Sequence, residues 1–132
     1  MGFDQYHEPP EELPQETRTF ARLCASLTEE AEAIGWYHQR LALEADPEAR
    51  AVMADAVGEE YKHFSMNLEA LFRRTPTWRE IARGVLFRDG DIVEHAEAAE
   101  AAVAEGGDGF PDEAAPADDS LGIGSLREAG RS

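Results

Sequence analysis

The chain carries a single cysteine, Cys24, among 132 residues, which excludes an internal disulfide framework and any multi-cysteine zinc site. Bases are scarce: 12 Lys+Arg stand against 28 Asp+Glu, for a formal net charge of -16. Nucleic-acid binding demands surplus positive charge, so no such partner is expected. No apolar run approaches the ~20 residues that a membrane-spanning helix needs. The stretch from Met1 to Pro10 lacks the basic-then-apolar pattern of a secretory leader. A soluble, cytoplasmic protein without membrane contact is expected. β-Branched residues are sparse and strict alternation is absent, which leaves no strand pattern.

Helical signals remain. Three helices are expected, over residues 16–44, 47–74 and 76–87. Asp46 before Pro47 is an N-cap followed by proline at the first helical position. Thr75 before Pro76 repeats that signal. The fold class expected is all-α, with two long antiparallel helices and a shorter third.

Charge divides the chain further. Residues 1–88 hold 16 acids and 10 bases, whereas residues 89–119 hold 11 acids and no base. The second stretch reads as a self-repelling, solvated linker. Its alanine-rich part, 92–105, reads as a frayed helix. The division expected is an N-terminal extension (1–15), a helical domain (16–88), an acidic flexible linker (89–119) and a short C-terminal motif (120–132).

Two carboxylates interrupt the apolar pattern. The first helix places Phe20, Leu23, Leu27, Ile34, Tyr37 and Leu41 on one stripe, with Glu30 where an apolar residue is due. The second places Met53, Val57, Phe64 and Leu71 on its stripe, with Glu60 in the equivalent gap. Glu30 lies 15 residues before Ala45 and Glu60 lies 14 after Asp46, so an antiparallel hairpin sets them side by side. Buried like charges need a cation between them. His63 follows Glu60 by one turn, and Glu-x-x-His is the helical spacing at which carboxylate and imidazole share a metal. By itself the motif is weak: 19 Glu and 4 His in 132 residues give about 0.6 such pairs by chance.

A four-helix di-iron site takes two single glutamates and two Glu-x-x-His pairs. One chain supplies half of that set, and two helices cannot enclose their own apolar faces. Both deficits vanish if two chains pair at the level of Glu30 and Glu60. The expected assembly is a homodimeric four-helix bundle around two irons, with Glu30, Glu60 and His63 from each chain. Zinc or calcium can occupy the same ligands adventitiously. His7, His38 and His95 carry no assigned chemistry. Two other readings stay open: a non-catalytic helical scaffold in which both glutamates pair with arginines, and a different di-iron oxidoreductase.

In order and spacing, His7-Glu8-Pro9, Glu29-Glu30 with Glu32, Trp36-Tyr37 with Gln39-Arg40, Asp46-Pro47, Glu59-Glu60 with His63, Met66 with Leu68-Glu69, Arg73-Arg74 and Leu86-Phe87 resemble the encapsulated ferritins of bacteria. The resemblance covers His7 to Phe87. It implies a ferritin-like half-bundle completed by dimerisation, a decamer of five dimers, and ferroxidase activity, the oxidation of Fe(II) by O2 for iron storage and detoxification. It makes Glu30, Glu60 and His63 the ligands of the di-iron centre, with Tyr37 and Trp36 beside it and Glu29 and Glu32 as metal-binding residues on the approach. Glu29 and Glu32 read equally as an exposed acidic face, and Trp36 as ordinary packing. Asp55 stands where some relatives carry a further histidine, which puts accessory metal contacts at that level in doubt.

The segment Ser120 to Arg127 resembles the targeting peptide of encapsulin cargo. Leu121, Ile123 and Leu126 suit apolar pockets, Gly122 and Gly124 permit close backbone approach, and Arg127 suits an acidic partner. The resemblance implies an encapsulin shell protein as partner and a location inside that nanocompartment.

Overall fold

The structure, a computed structural model, describes residues 5–106. Every regular element among them is helical: a 3₁₀ turn at Pro10–Glu12, α1 (Gln15–Leu43), α2 (Pro47–Arg74), α3 (Pro76–Val85) and α4 (Ile92–Glu105). No helix is long and apolar enough to cross a membrane. The candidate targeting residues Leu121, Gly122, Ile123, Gly124, Leu126 and Arg127 lie outside the described residues.

α1 and α2 form an antiparallel hairpin, reversed within Glu44, Ala45 and Asp46. Asp46 accepts a hydrogen bond from the Ala49 amide at 2.9 Å, while its own amide donates to Glu44 Oε1 at 2.9 Å. Pro47 starts α2 with its ring in place of a donor that would be unpaired anyway. Just past the turn, the Arg50 guanidinium donates to the Leu41 carbonyl and braces one helix against the other.

α2 ends on Arg73 and Arg74, bases at the negative end of the helix dipole. Thr75 sits at the N-cap position of α3, as the sequence suggests, but its side chain makes no capping hydrogen bond there. The corner is held instead by Phe72 and Trp78, whose rings meet edge to face at 5.1 Å and 85°.

Two expectations need correction. The third helix stops at Val85 because Leu86 takes an extended conformation, with φ of -72° and ψ of 141°, and Phe87 then turns left-handed with φ of 59°. The stretch 92–105, expected as a frayed helix within the linker, is helical over those residues but is capped and packed on α3 as α4. The Asp91 side chain accepts from the Glu94 amide at 2.9 Å. Its packing uses small residues: a Cβ on Gly84 would meet the Cβ of Ala99 at 2.5 Å. His95 Nε2 donates to the Asp89 carbonyl at 2.8 Å and closes the turn, where Gly90 holds a φ of 105°.

The seam residues of α1 and α2 are only half-buried. Among the described residues, the buried apolar set is Val57, Leu71 and Ala82. Val52 stays 67 % exposed, Met66 62 % and Phe87 104 %. Among the described residues α3 meets α2 only at the corner and no other helix packs across the middle of the α1–α2 pair, so the side that holds the candidate ligands is bare.

Candidate metal centre

Glu30 comes from the middle of α1, and Glu60 and His63 come from the middle of α2. The hairpin sets all three at one level, so that one donor atom of each lies within 4.8 Å of the others. Glu60 and His63 are joined at 3.8 Å between Oε2 and Nδ1. Both glutamates are half-buried and His63 is exposed.

Electrostatics show what this cluster wants. A hydrogen bond donated by the Glu30 carboxyl to Glu60 favours its protonated form and raises its pKa above the ordinary 4.5, with desolvation and Coulomb repulsion adding to the rise. The hydrogen bond fits a proton shared between two facing carboxyls. His63 pulls Glu30 the other way, though more weakly. A multivalent cation relieves the same repulsion more completely than a proton does. The donors, two carboxylates and an imidazole, suit iron and zinc alike. Three donors from one protomer leave coordination positions open toward the bare side.

That bare side mixes apolar and acidic residues around the imidazole. Val52, Ala56, Glu59, His63 and Met66 follow one another at three- and four-residue intervals, a single stripe along α2. Glu29, Ala33 and Trp36 make the equivalent stripe on α1. Glu59 is engaged by Lys62, which holds its carboxyl below the usual range.

The remaining sequence-derived candidates fall around the cluster without joining it. Glu29 and Glu32 are exposed on α1, neighbours of each other one turn apart, and neither belongs to the three-residue group. Trp36 is 45 % exposed on the same side as Glu29. Tyr37 is half-buried two turns beyond Glu30, with the Arg40 guanidinium 5.4 Å from its ring centre.

Sequence reasoning passed over one contact. His38 Nε2 and Tyr61 Oη meet at 2.5 Å across the hairpin. The signal was available: each residue flanks its helix's seam, His38 between Ile34 and Leu41, Tyr61 between Val57 and Phe64.

Carboxylates and a Glu-x-x-His pair projected from an antiparallel helix pair are the donor pattern seen in ferritin-like bundles. The comparisons with known proteins agree. Residues 5–89 match the EncFtn-like family, and the chain belongs to that family. It is 42 % identical over 121 residues, 92 % of this chain and 86 % of the relative, to an encapsulated ferritin-like protein of Rhodospirillum rubrum. It is 45 % identical over 91 residues, 69 % of this chain and 80 % of the relative, to a ferritin-like protein of Thermotoga maritima. A crystal structure of a Nitrosomonas europaea protein superposes with a TM-score of 0.65 at 38 % identity, covering 67 % of this chain and 98 % of that one.

Proposed function

We propose that this protein is a ferroxidase that takes Fe(II) as substrate and passes its electrons to O2 at a centre shared by two chains. The observation that carries the reading is the convergence of Glu30, Glu60 and His63 within 4.8 Å on an uncovered side of the hairpin that also exposes Val52 and Met66. A second copy laid on that side covers Val52 and Met66 and brings a second identical ligand set. Four carboxylates then offset most of the charge of two ferric ions, and oxygen ligands favour the ferric state over the ferrous. Each ferrous ion gives up one electron, and O2 accepts the pair. The covered apolar stripe keeps bulk water from the reacting ions.

The family name and the encapsulated relative support a role inside an encapsulin compartment, reached through the peptide at 120–132. In this reading the dimers associate further into a decamer, and Glu29 and Glu32 lie on the iron's path.

The test uses the full-length chain loaded anaerobically with Fe(II) and then exposed to O2. Iron per protomer and O2 consumption are measured for the wild type and for E30A/E60A/H63A. The reading requires both to collapse in the triple variant. Undiminished oxygen uptake would refute it, and favour an acid-rich helical scaffold whose surface merely attracts cations.

A further inference from the structure

Successive residues advance about 100° around an α-helix, so Tyr61 and His63 leave α2 on opposite flanks of Glu60. Tyr61 therefore belongs to the flank away from the ligand imidazole, and there it meets His38. The Nε2–Oη separation is 2.5 Å, and the rings lie 6.1 Å apart, inclined at 52°. Helical side chains lean toward the N-terminus of their own helix. Because α1 and α2 run antiparallel, His38 leans toward the level of Glu30 while Tyr61 leans toward the hairpin turn. They meet between the two levels, so the bond lies along the direction in which the helices would slide.

The turn restrains that slide at one end of the hairpin; at the level of the ligands the other restraint is apolar packing. The α1–α2 seam is half-buried aliphatic and aromatic surface, and apolar contact is non-directional. The Arg50 guanidinium on the Leu41 carbonyl acts close to the turn, far along the hairpin from the ligands. A slip of one residue moves a side chain by ~1.5 Å, whereas ligand atoms must be placed to within ~0.2 Å of their bonding distance.

We infer that the His38–Tyr61 hydrogen bond is a positioning device that fixes the register of α1 against α2 and so presents Glu30 opposite Glu60. Tyr61 acts through the residue before it in the chain, Glu60, and His38 through the turns that connect it to Glu30. Neither touches the metal. The inference rests on the proposed metal centre.

Cobalt(II) is the probe, because its visible absorption reports coordination geometry and it does not react with O2 as Fe(II) does. Full-length wild type, Y61F, H38L, Y61F/H38L and H38Q are titrated with Co(II), and their thermal melts are recorded in parallel. Y61F and H38L should each weaken Co(II) binding by about ten-fold, the low end for residues that orient metal ligands, and should shift the absorption band. The double variant should be no worse than either single one, because one bond is lost in all three. H38Q, whose amide still reaches a phenol, should restore affinity and band together. A lowered melting temperature in Y61F with unchanged affinity and band would overturn the positioning role and leave the metal centre standing. Wild-type Co(II) binding indifferent to E30A/E60A/H63A would instead overturn the metal centre, and the positioning role with it.

Discussion

Gly84 of α3 and Ala99 of α4 approach so closely that a methyl group on the glycine would lie 2.5 Å from the methyl of the alanine. No real pair of carbons tolerates that distance, and both partners are fixed on helical backbone. G84A must therefore push α4 away from α3. Overpacking of this kind costs about 1–3 kcal/mol. Amide exchange should accelerate throughout 92–105 while remaining slow in the α1–α2 hairpin. Uniform loss of protection across the whole chain would contradict the picture of a locally docked helix.

The hairpin turn has its own weak point. Asp46 satisfies the Ala49 amide at the start of α2, and replacing such a cap by alanine costs about 1 kcal/mol. D46A should lower the melting temperature by several degrees with little loss of helicity. A melt identical to wild type would mean that the Glu44 carboxylate, now bonded to the Asp46 amide, takes over the end.

Protons and metal compete at Glu30. Its carboxyl titrates above its ordinary 4.5 in the folded, metal-free chain, so the folded state holds the proton more tightly than the unfolded one. The stabilisation is complete below the ordinary value and is lost as pH rises through the raised one. Glu59, held low by Lys62, changes in the opposite sense, so the useful comparison is with E30Q. Chelator-treated wild type should lose stability relative to E30Q as pH climbs from acid toward neutrality, and added metal should restore the wild type alone. Parallel stability curves would show that Glu30 carries no such linkage.

Met66 tests the pairing of two chains. It is 62 % exposed in a single protomer and lies one turn from His63 on the bare stripe. Burying a methionine contributes about 1.5–3 kcal/mol, and about 1.4 kcal/mol is ten-fold in association. M66K should weaken self-association by roughly ten-fold or more at unchanged helicity, with iron uptake falling in step, by sedimentation and iron counting. Full assembly of M66K would place the partner on another face.

Much of this was legible in the sequence because the signals were local. Proline after Asp46 and after Thr75 marked two helix starts to the residue. Glu30 and Glu60 stood out as carboxylates interrupting apolar stripes, and counting to the turn brought them level. The docking of α4 was hidden because Gly84 and Ala99 pack through smallness, which leaves no mark in a hydrophobic pattern. The end of α3 was hidden too, since nothing about Leu86 announces an extended residue there. His38 carries no chemistry that the sequence alone assigns. Its meaning needed Tyr61, 23 residues away, and only the packed hairpin brings the two together.

So small a buried core has a thermodynamic corollary. With Val57, Leu71 and Ala82 as the buried apolar residues described, a solitary chain has little to hold it closed, and under the proposed pairing much of the free energy of the folded form comes from its neighbours. Mass action then governs the fold itself: dilution should lower the melting temperature, and each tenfold increase in protein concentration should raise it. Crowding many copies within a confined volume would serve as a stabiliser in its own right, independent of any chemistry performed there.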